Sequence, residues 1–213
     1  SRIRACPSRG VESESWSTMV AANLRWRPSG RADLSLGPFF SRNLNDLQWV
    51  RKFALDEDHF LFGRIDQKTL GLTGRLDFTF TPDLTLQVYA QPFVAAGAYS
   101  QFKQLGDPRA KRYEDRFVGV GASLDDGSLL VDLDGDGETE SFGNPDFNFK
   151  QFRSTMVLRW EYRPGSLLYV VWSQGRDHSG EMGQLNFGES LGDLFSQPGE
   201  NVFMVKLSYW ITP

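Results

Sequence analysis

The sequence has little cysteine, little histidine and no long apolar run, and each shortage excludes a class of protein. A single cysteine, Cys6, rules out an internal disulfide and a cysteine-ligated metal site. Two histidines, His59 and His178, are too few for a histidine-rich zinc site. No stretch approaches the ~18–20 consecutive apolar residues of a membrane helix, so a helical span is excluded. The net charge of −4 argues against a general nucleic-acid binder, and no nucleic-acid partner is expected.

The first ten residues, SRIRACPSRG, lack the apolar core of a signal peptide. A secreted or membrane location therefore requires a mature chain or a part of a longer one. The mean hydropathy of −0.39 would suit an ordinary soluble protein. A membrane barrel looks equally polar, however, because half of every strand faces its interior. Hydropathy alone therefore cannot separate these two classes.

What the sequence does contain is a two-residue alternation of apolar and polar side chains. From Trp16 to Trp26 the even positions carry Trp, Thr, Val, Ala, Leu and Trp, and the odd positions are largely polar. Successive side chains of a β-strand point to opposite faces, so this segment has one apolar face. With a strand tilt near ~40°, the two tryptophans would be roughly 25 Å apart along a barrel axis, the height of an outer-membrane apolar band.

The same rhythm returns along most of the chain. The further strand candidates are 32–53, 59–80, 84–94, 152–162, 167–176 and 202–211. In 167–176 both faces are apolar, and the phase is ambiguous. Pro38 and Pro92 interrupt two candidates, and each requires a bulge or a locally broken pair because proline cannot donate to a ladder.

The connections between these candidates differ in length at the two ends of the strands. Short turns lie at 28–30, 81–83 and 164–165. The other connections are longer or acidic, and they lie at 56–58, 100–146 and 178–200. Short periplasmic turns and long extracellular loops are typical of bacterial outer-membrane barrels.

The sequence therefore predicts an all-β, antiparallel up-and-down transmembrane β-barrel. About seven strands are recognisable, whereas single-chain bacterial barrels have even numbers, so the chain is expected to be the C-terminal portion of a larger barrel. Residues 1–13 are predicted to be unstructured or outside the barrel, and 14–213 to form the barrel portion with long external loops at about 100–146 and 178–200. Upstream strands or a partner chain would then be needed to close the sheet. The C-terminus would be periplasmic and the long loops extracellular.

Several segments are distinctive together. They are LFG at 61–63, DQKTL at 66–70, RLDFTFTP at 75–82, LQVYAQPF at 86–93, NPDFNF at 144–149, LRWEYRPGS at 158–166 and the ending VFMVKLSYW at 202–210. Together they resemble the C-terminal barrel region of a family of uncharacterised bacterial outer-membrane proteins. In that family a carbohydrate-binding-like domain of the family-nine type precedes the barrel.

The resemblance covers roughly residues 14–213. It implies a barrel of many more strands. The alternation and the asymmetry of the connections favour a non-enzymatic barrel that contacts outer-membrane lipid and acts as a channel or transport protein, or as a membrane anchor for a carbohydrate-binding-like domain. The resemblance also implies carbohydrate as a partner through a domain outside this chain. It transfers no catalytic residue, and none is predicted here.

The sharpest local motif is the run DLDGDGE, with Asp132, Asp134, Asp136 and Glu138. Alternate acidic residues with a glycine for the turn are how short loops surround Ca²⁺. The position of the bidentate glutamate in an EF-hand is occupied by Gly143. We therefore weigh a Ca²⁺ site that rigidifies the loop against a solvated acidic loop. Ca²⁺ is the one candidate cofactor.

Seven charged residues fall on the polar positions of their strands. They are Arg25, Arg75, Asp77, Arg153, Arg159, Glu161 and Lys206. In a barrel they would face the lumen and would have to pair or contact water, because isolated buried charge is costly. In a soluble protein the same residues would simply face solvent.

Eight aromatic residues cluster near the predicted strand ends. They are Trp16, Trp26, Phe78, Phe80, Trp160, Tyr162, Trp172 and Tyr209. Interfacial girdles explain these positions more economically than a sugar-stacking platform.

Two alternatives to a non-enzymatic membrane barrel remain open at this point. The first is a soluble β-sandwich or lipocalin-like binding module, whose core would bury the same apolar face. The second is a barrel-embedded hydrolase that uses Asp177 and His178 with Ser173 or Ser179 nearby. A hydrated loop mouth is the simpler interpretation of those four residues.

Overall fold

The alternating segments form long antiparallel strands in the computed structural model, which describes residues 2–9, 14–180, 192, 194–196 and 198–211. In chain order the strands are β1 Arg2–Arg9, β2 Trp16–Ser29, β3 Ala32–Ala54, β4 Asp58–Thr81, β5 Leu84–Leu105, β6 Phe117–Gly119, β7 Ala122–Asp125, β8 Ser128–Val131, β9 Glu140–Gly143, β10 Phe147–Arg163, β11 Ser166–Gly180 and β12 Glu200–Ser208. A short 3-10 helix, Glu114–Arg116, precedes β6. Among the described residues, no helix has the length and apolar character needed to cross a membrane.

The strands form one large and one small antiparallel sheet. The large sheet has the order β1-β2-β3-β4-β5-β10-β11-β12, and β6 pairs with the far end of β5. The small sheet has the order β7-β8-β9. The predicted all-β, antiparallel fold is therefore confirmed. In the described part of the chain the edge strands β1 and β12 do not pair with each other, so the sheet is open.

The N-terminal segment differs from its prediction. Residues 1–13 were expected to be unstructured or outside the barrel, but 2–9 form β1 and pair with 16–23 of β2. The outer edge of β2 therefore has a neighbour within this chain, and the main path holds eight strands instead of about seven. The sequence signal was weak because this segment is polar, basic and interrupted by Pro7.

The connection predicted as a long loop at 100–146 is also more ordered than the sequence indicated. β5 continues to Leu105, and β6 to β9 occupy much of 117–143. Leu129, Val131 and Phe142 of the small sheet belong to one buried cluster with Leu61 of β4 and Phe102 of β5. The small sheet therefore packs on the far ends of the central strands. In the second predicted loop, β11 reaches Gly180, and 181–191 lie outside the described residues.

The two strand prolines are accommodated by locally broken pairing, as predicted. Pro38 keeps its partner Leu72 on β4, but the β2–β3 ladder has a gap between the pairs Ala21–Phe39 and Leu24–Leu36. Pro92 likewise pairs with β10 and lies in a gap of the β4–β5 ladder. Each proline therefore costs pairing on one side only.

Candidate membrane-facing surface

The strand register places the apolar residues of seven strands on one face of the large sheet. Directly opposed residues in antiparallel strands share a face. Leu34 pairs with Trp26 on one side and with Leu76 on the other, and Leu76 pairs with Val88. The same row continues through Met156 of β10 to the last two strands. We call this side of the sheet the apolar face and the opposite side the polar face.

The register also resolves the ambiguous phase of β11. Leu168, Val170 and Trp172 pair with apolar-face residues of β10, and they pair again with Leu207, Val205 and Phe203 of β12. These three side chains of β11 therefore lie on the apolar face. Tyr169, Val171 and Ser173 lie on the polar face.

The apolar residues occupy a limited length of each strand, which we call the apolar band. Its segments are 16–26, 32–40, 70–80, 84–94, 152–162, 168–172 and 203–211, and the last segment extends past the end of β12 at Ser208. Five of the seven segments lie wholly within their strands and are about 9–11 residues long, which is the length that a transmembrane strand needs. Within the described residues of the band, no charged side chain lies on the apolar face.

Large apolar side chains on this face are exposed to the surroundings. Trp26 is 63% exposed, Phe203 71% and Val205 67%. A water-soluble monomer rarely leaves an apolar surface of this extent uncovered. The exposure therefore points to contact with a non-aqueous environment or with another molecule.

The band runs obliquely across the sheet. One cross-strand row contains Trp26, Trp172 and Phe203. Trp26 lies at the short-turn end of the band, whereas Trp172 and Phe203 lie at its long-connection end. The band therefore shifts by about eight to ten residues over six strand-to-strand steps, or ~1.5 residues per strand. With a rise of ~3.3 Å per residue and a strand spacing of ~4.8 Å, this shift corresponds to a tilt of about 45°.

Seven of the eight aromatic residues predicted to form girdles lie on the apolar face near an end of the band. The eighth, Tyr209, lies past the end of β12, where its hydroxyl accepts a hydrogen bond from Arg163. Trp16 and Trp172 lie at the long-connection end, and the others lie toward the short turns. An aromatic pair packs at each end of the band. The ring centroids are 6.1 Å apart for Trp160 and Tyr162, and 5.9 Å apart for the stacked pair Trp172 and Phe203.

The polar face of the band carries the predicted lumen-facing charges. All seven predicted residues lie on it, together with Arg27 and Asp33, which sequence analysis did not single out. Asp33 accepts hydrogen bonds from Arg25 and, at 2.7 Å, from Nε of Arg27. The signal for Asp33 was available, since it occupies a polar position of the 32–40 segment. Nη2 of Arg159 lies 3.3 Å from Oε2 of Glu161.

A cavity of about 260 Å³ lies on this polar face between β4, β5 and β10. Arg75, Asp77, Gln87, Tyr89 and Thr155 contribute to its lining. The guanidinium of Arg75 lies over the Tyr89 ring, 5.2 Å from its centroid.

Beyond the band the buried apolar residues lie on the polar-face side of the sheet, and charged residues lie on the apolar-face side. We call this region the outer extension; it comprises 41–54, 58–69, 95–105 and 106–143. Here Leu61 and Ile65, on the polar-face side of β4, are buried, and charged residues stand on the apolar-face side. Arg42 and Asp66 form a two-point ion pair there, with distances of 2.9 and 2.7 Å. The Arg42 guanidinium holds the pKa of the Asp66 carboxyl below its usual value.

Comparison with protein families matches residues 8–212 to the domain of unknown function DUF5916. The chain belongs to this family. The match includes every strand of both sheets except most of β1. Comparison with curated proteins and with solved structures gave no match.

The acidic loop of this DUF5916 chain brings three of its four predicted ligands together. Carboxylate oxygens of Asp132, Asp134 and Asp136 lie within 4.8 Å of one another, and Glu138 is not in that group. Oδ1 of Asp136 instead accepts the Glu138 backbone N–H at 2.8 Å. Gly135 has a φ of +81°, in the left-handed region that favours glycine. The Ca²⁺ site stays a prediction.

The residues considered for a hydrolase are not arranged around a common centre in the DUF5916 chain. Asp177 and His178 are consecutive residues of β11, so their side chains project to opposite faces. Ser173 and Ser179 share the face of Asp177, and the Ser173 hydroxyl lies 3.4 Å from that of Thr155. A nucleophile and its base would need to be within hydrogen-bond reach.

Proposed function

We propose that this DUF5916 chain forms part of the wall of a non-enzymatic β-barrel in the bacterial outer membrane, where it acts as a channel wall. The apolar band carries this proposal. Its length suits a membrane-crossing strand, its oblique course suits strands tilted by 35–45°, and it separates an uncharged face from a charged one.

The lengths of the connections support an orientation. Tight turns at 30–31, 82–83 and 164–165 would face the periplasm, together with the C-terminal end of β12. The outer extension, with its small sheet and acidic loop, would project from the cell surface. The charged residues on the apolar-face side of the extension agree with this assignment, because they begin where the band ends.

An open sheet in lipid would leave unpaired backbone groups, at several kcal/mol each. The proposed barrel must therefore be closed by further strands or by another chain at β1 and β12. All nine residues of β12 are exposed, as expected for a strand with an absent neighbour. This wall would contact outer-membrane lipid on its apolar face.

The soluble β-sandwich is less well supported. A sandwich needs a second sheet over the apolar face. In the described part of the chain the only other sheet is β7-β8-β9, whose buried residues cluster with Leu61 and Phe102 on the polar-face side of the outer extension. A membrane-anchor role for a carbohydrate-binding-like domain rests on the sequence resemblance, and it requires the same membrane sheet.

Tryptophan quenching by brominated lipid tests the membrane proposal. The chain is reconstituted into vesicles whose phosphatidylcholine carries bromine close to the headgroup, and its fluorescence is compared with that in unbrominated vesicles. We expect strong quenching that falls in Trp160→Phe, because Trp160 lies at an end of the band. Trp49→Phe is the matched control, since Trp49 is 55% exposed in the outer extension and should contribute little quenching.

A chain that stays soluble without detergent and is not quenched by brominated lipid would contradict the proposal. Quenching that depends equally on Trp49 and Trp160 would contradict the position of the band.

A further inference from the structure

Over the length of the apolar band, the polar face of the large sheet carries an excess of positive charge. The chain as a whole has a net charge of −4. The cations of this face are Arg25, Arg27, Arg75, Arg153, Arg159 and Lys206, and its carboxylates are Asp33, Asp77 and Glu161. The rest of the molecule is correspondingly acidic. The positive face is therefore a local feature of one side of the sheet and does not follow from composition.

Internal ion pairs involve only part of this charge. Asp33 is bound by Arg25 and Arg27, and Glu161 by Arg159. Within the described residues, no ion pair involves Arg75, Arg153 or Lys206, and all three are exposed. These three cations are consequently available to water and to solutes.

The register spreads the exposed cations along the sheet instead of collecting them at one point. Arg75 opposes Tyr89, whose other neighbour is Thr155 on β10. Arg153 stands two residues before Thr155 on that strand. Lys206 lies two strands from Arg159, with Tyr169 between them. A solute that moves along the polar face would therefore meet successive cations.

The cavity beside Arg75 supplies hydrogen-bonding groups around one of these cations. The Gln87 amide, the Thr155 hydroxyl and the guanidinium line the same space of about 260 Å³. A guanidinium binds carboxylate and phosphate oxygens through paired N–H donors. Asp77 lines the cavity too, and its carboxylate repels a bound anion more strongly when that anion carries two charges than when it carries one. The site therefore suits a small oxyanion with a single charge.

We infer that the polar face of this sheet conducts and selects small, singly charged oxyanions, with Arg75, Arg153 and Lys206 as the selecting groups. The inference rests on the proposed function and names the substrate class of the channel wall. Rings of Arg and Lys favour anions in pores, because they lower the electrostatic energy of a passing anion and raise that of a cation.

Reversal potentials in planar lipid bilayers test this selectivity. The chain is reconstituted together with the strands or the partner chain that close its sheet, and this closed barrel is measured in a KCl gradient and then in a gradient of sodium lactate, whose anion is a small singly charged oxyanion. We expect anion permeability to exceed cation permeability in both salts. In the triple variant Arg75→Gln, Arg153→Gln, Lys206→Gln the permeability ratio should fall to about one or below, because the net positive charge of the face is removed.

The control for a single lost cation is Lys52→Gln, which removes a cation at the tip of the outer extension, where Lys52 pairs with Asp58. Its permeability ratio should equal that of the unmodified chain. Arg75→Gln alone tests the cavity: it should reduce lactate permeability more than chloride permeability.

The outcomes separate the two proposals. A chain that does not enter the bilayer, as judged by lipid quenching, contradicts the proposed function itself. A closed, inserted barrel that conducts with a cation preference overturns the anion inference and leaves the proposed function standing. A closed, inserted barrel that conducts no ions overturns both the anion inference and the channel role, and it leaves only the membrane assignment. An unchanged ratio in the triple variant would also overturn it.

Discussion

The band and the outer extension use the same strands in opposite ways. In the band, β4 places Leu70, Leu72 and Leu76 on the apolar face and Arg75 on the polar face. In the outer extension the same strand places Leu61 and Ile65 on the polar-face side, where they are buried. The β3–β4 register runs without a shift from Ala32 to Asn45, so no bulge in that ladder reverses the faces between the two regions. The environment of each face changes along β4, whereas the alternation of side chains along the strand stays the same.

This difference shows that the two regions are stabilised by different interactions. The outer extension has an ordinary protein core, in which residues of the small sheet cover the central strands. The band has no such cover among the described residues, and its large apolar side chains are exposed. The extension should therefore respond to cavities, as soluble domains do, and the band should respond to charge placed in lipid.

The largest effect is expected from a cavity in the outer extension. Phe142 is 7% exposed, and its ring meets that of Phe53 edge-on at 5.5 Å. Phe142→Ala should destabilise the extension by about 3–5 kcal/mol through lost burial and the cavity left behind. Faster proteolysis within 122–143 would report the change, with lipid quenching of the band tryptophans unaltered.

Leu124→Ala is the control for that experiment, because Leu124 lies in the same small sheet but is 61% exposed. Its proteolysis should match that of the unmodified chain. If Phe142→Ala also abolished membrane insertion, the two regions would be one cooperative unit, and the comparison would fail.

A charge placed on each face of the band should give the next largest effect. Leu158 and Val157 are neighbours on β10, and they pair with Leu86 and Gln87 respectively. Leu158→Arg should destabilise the folded chain in lipid by about 2–4 kcal/mol, because the guanidinium would enter the hydrocarbon near its midplane. Val157→Arg places the same group on the polar face and should cost much less.

Denaturant titration in lipid vesicles would measure both variants. Equal losses would mean that the two faces share one environment, and they would contradict the assignment of the apolar face to lipid. A larger loss for Val157→Arg would reverse the assignment of the faces.

Sequence alone predicted the band well and the outer extension poorly, for a physical reason. In the band the environment differs across the sheet over about 9–11 residues, so alternation is long enough to be recognised. In the extension the strands β7, β8 and β9 have four residues each, which is too short for a recognisable alternation. Their buried residues are set by packing against distant residues of β4 and β5. The edge strand β1 was missed because its sequence does not alternate between apolar and polar residues. Only its pairing with β2 in the folded chain identifies it as a strand.

The candidate site follows the same division. The seven charges predicted for the polar face lie there, since strand phase fixes their side. The cavity around Arg75 was beyond prediction because it joins residues of three strands whose register sequence does not specify. The phase of β11 was undecidable for a related reason: Leu167 to Val171 are apolar on both faces, and pairing with β10 decides between them.

The smallest effect is expected where the two regions meet. On the polar face, Phe39 opposes Gly71, and its ring lies over that glycine. The rings of Phe39 and Phe93 are 6.5 Å apart, and those of Phe93 and Phe149 are 6.2 Å apart. This aromatic row lies between the water-accessible polar face of the band and the buried core of the extension. It depends on a missing side chain at position 71, because a Cβ there would come within 2.4 Å of the Phe39 ring.

Gly71→Ala should therefore displace Phe39 and destabilise the chain by roughly 1 kcal/mol, at the low end for overpacking, since a ring edge can move more easily than backbone. Gly37→Ala on the adjacent strand is the matched control, because the nearest heavy atoms to its added Cβ lie at 3.8 Å. Without a clash, the lower entropy of the unfolded chain should make that variant neutral or more stable by about 0.4–1 kcal/mol. The two substitutions add the same methyl group and should change the free energy of unfolding in opposite directions. A stabilising Gly71→Ala would show that the aromatic row does not hold Phe39 in place, and the boundary between the regions would then have to be set by the buried core of the extension alone.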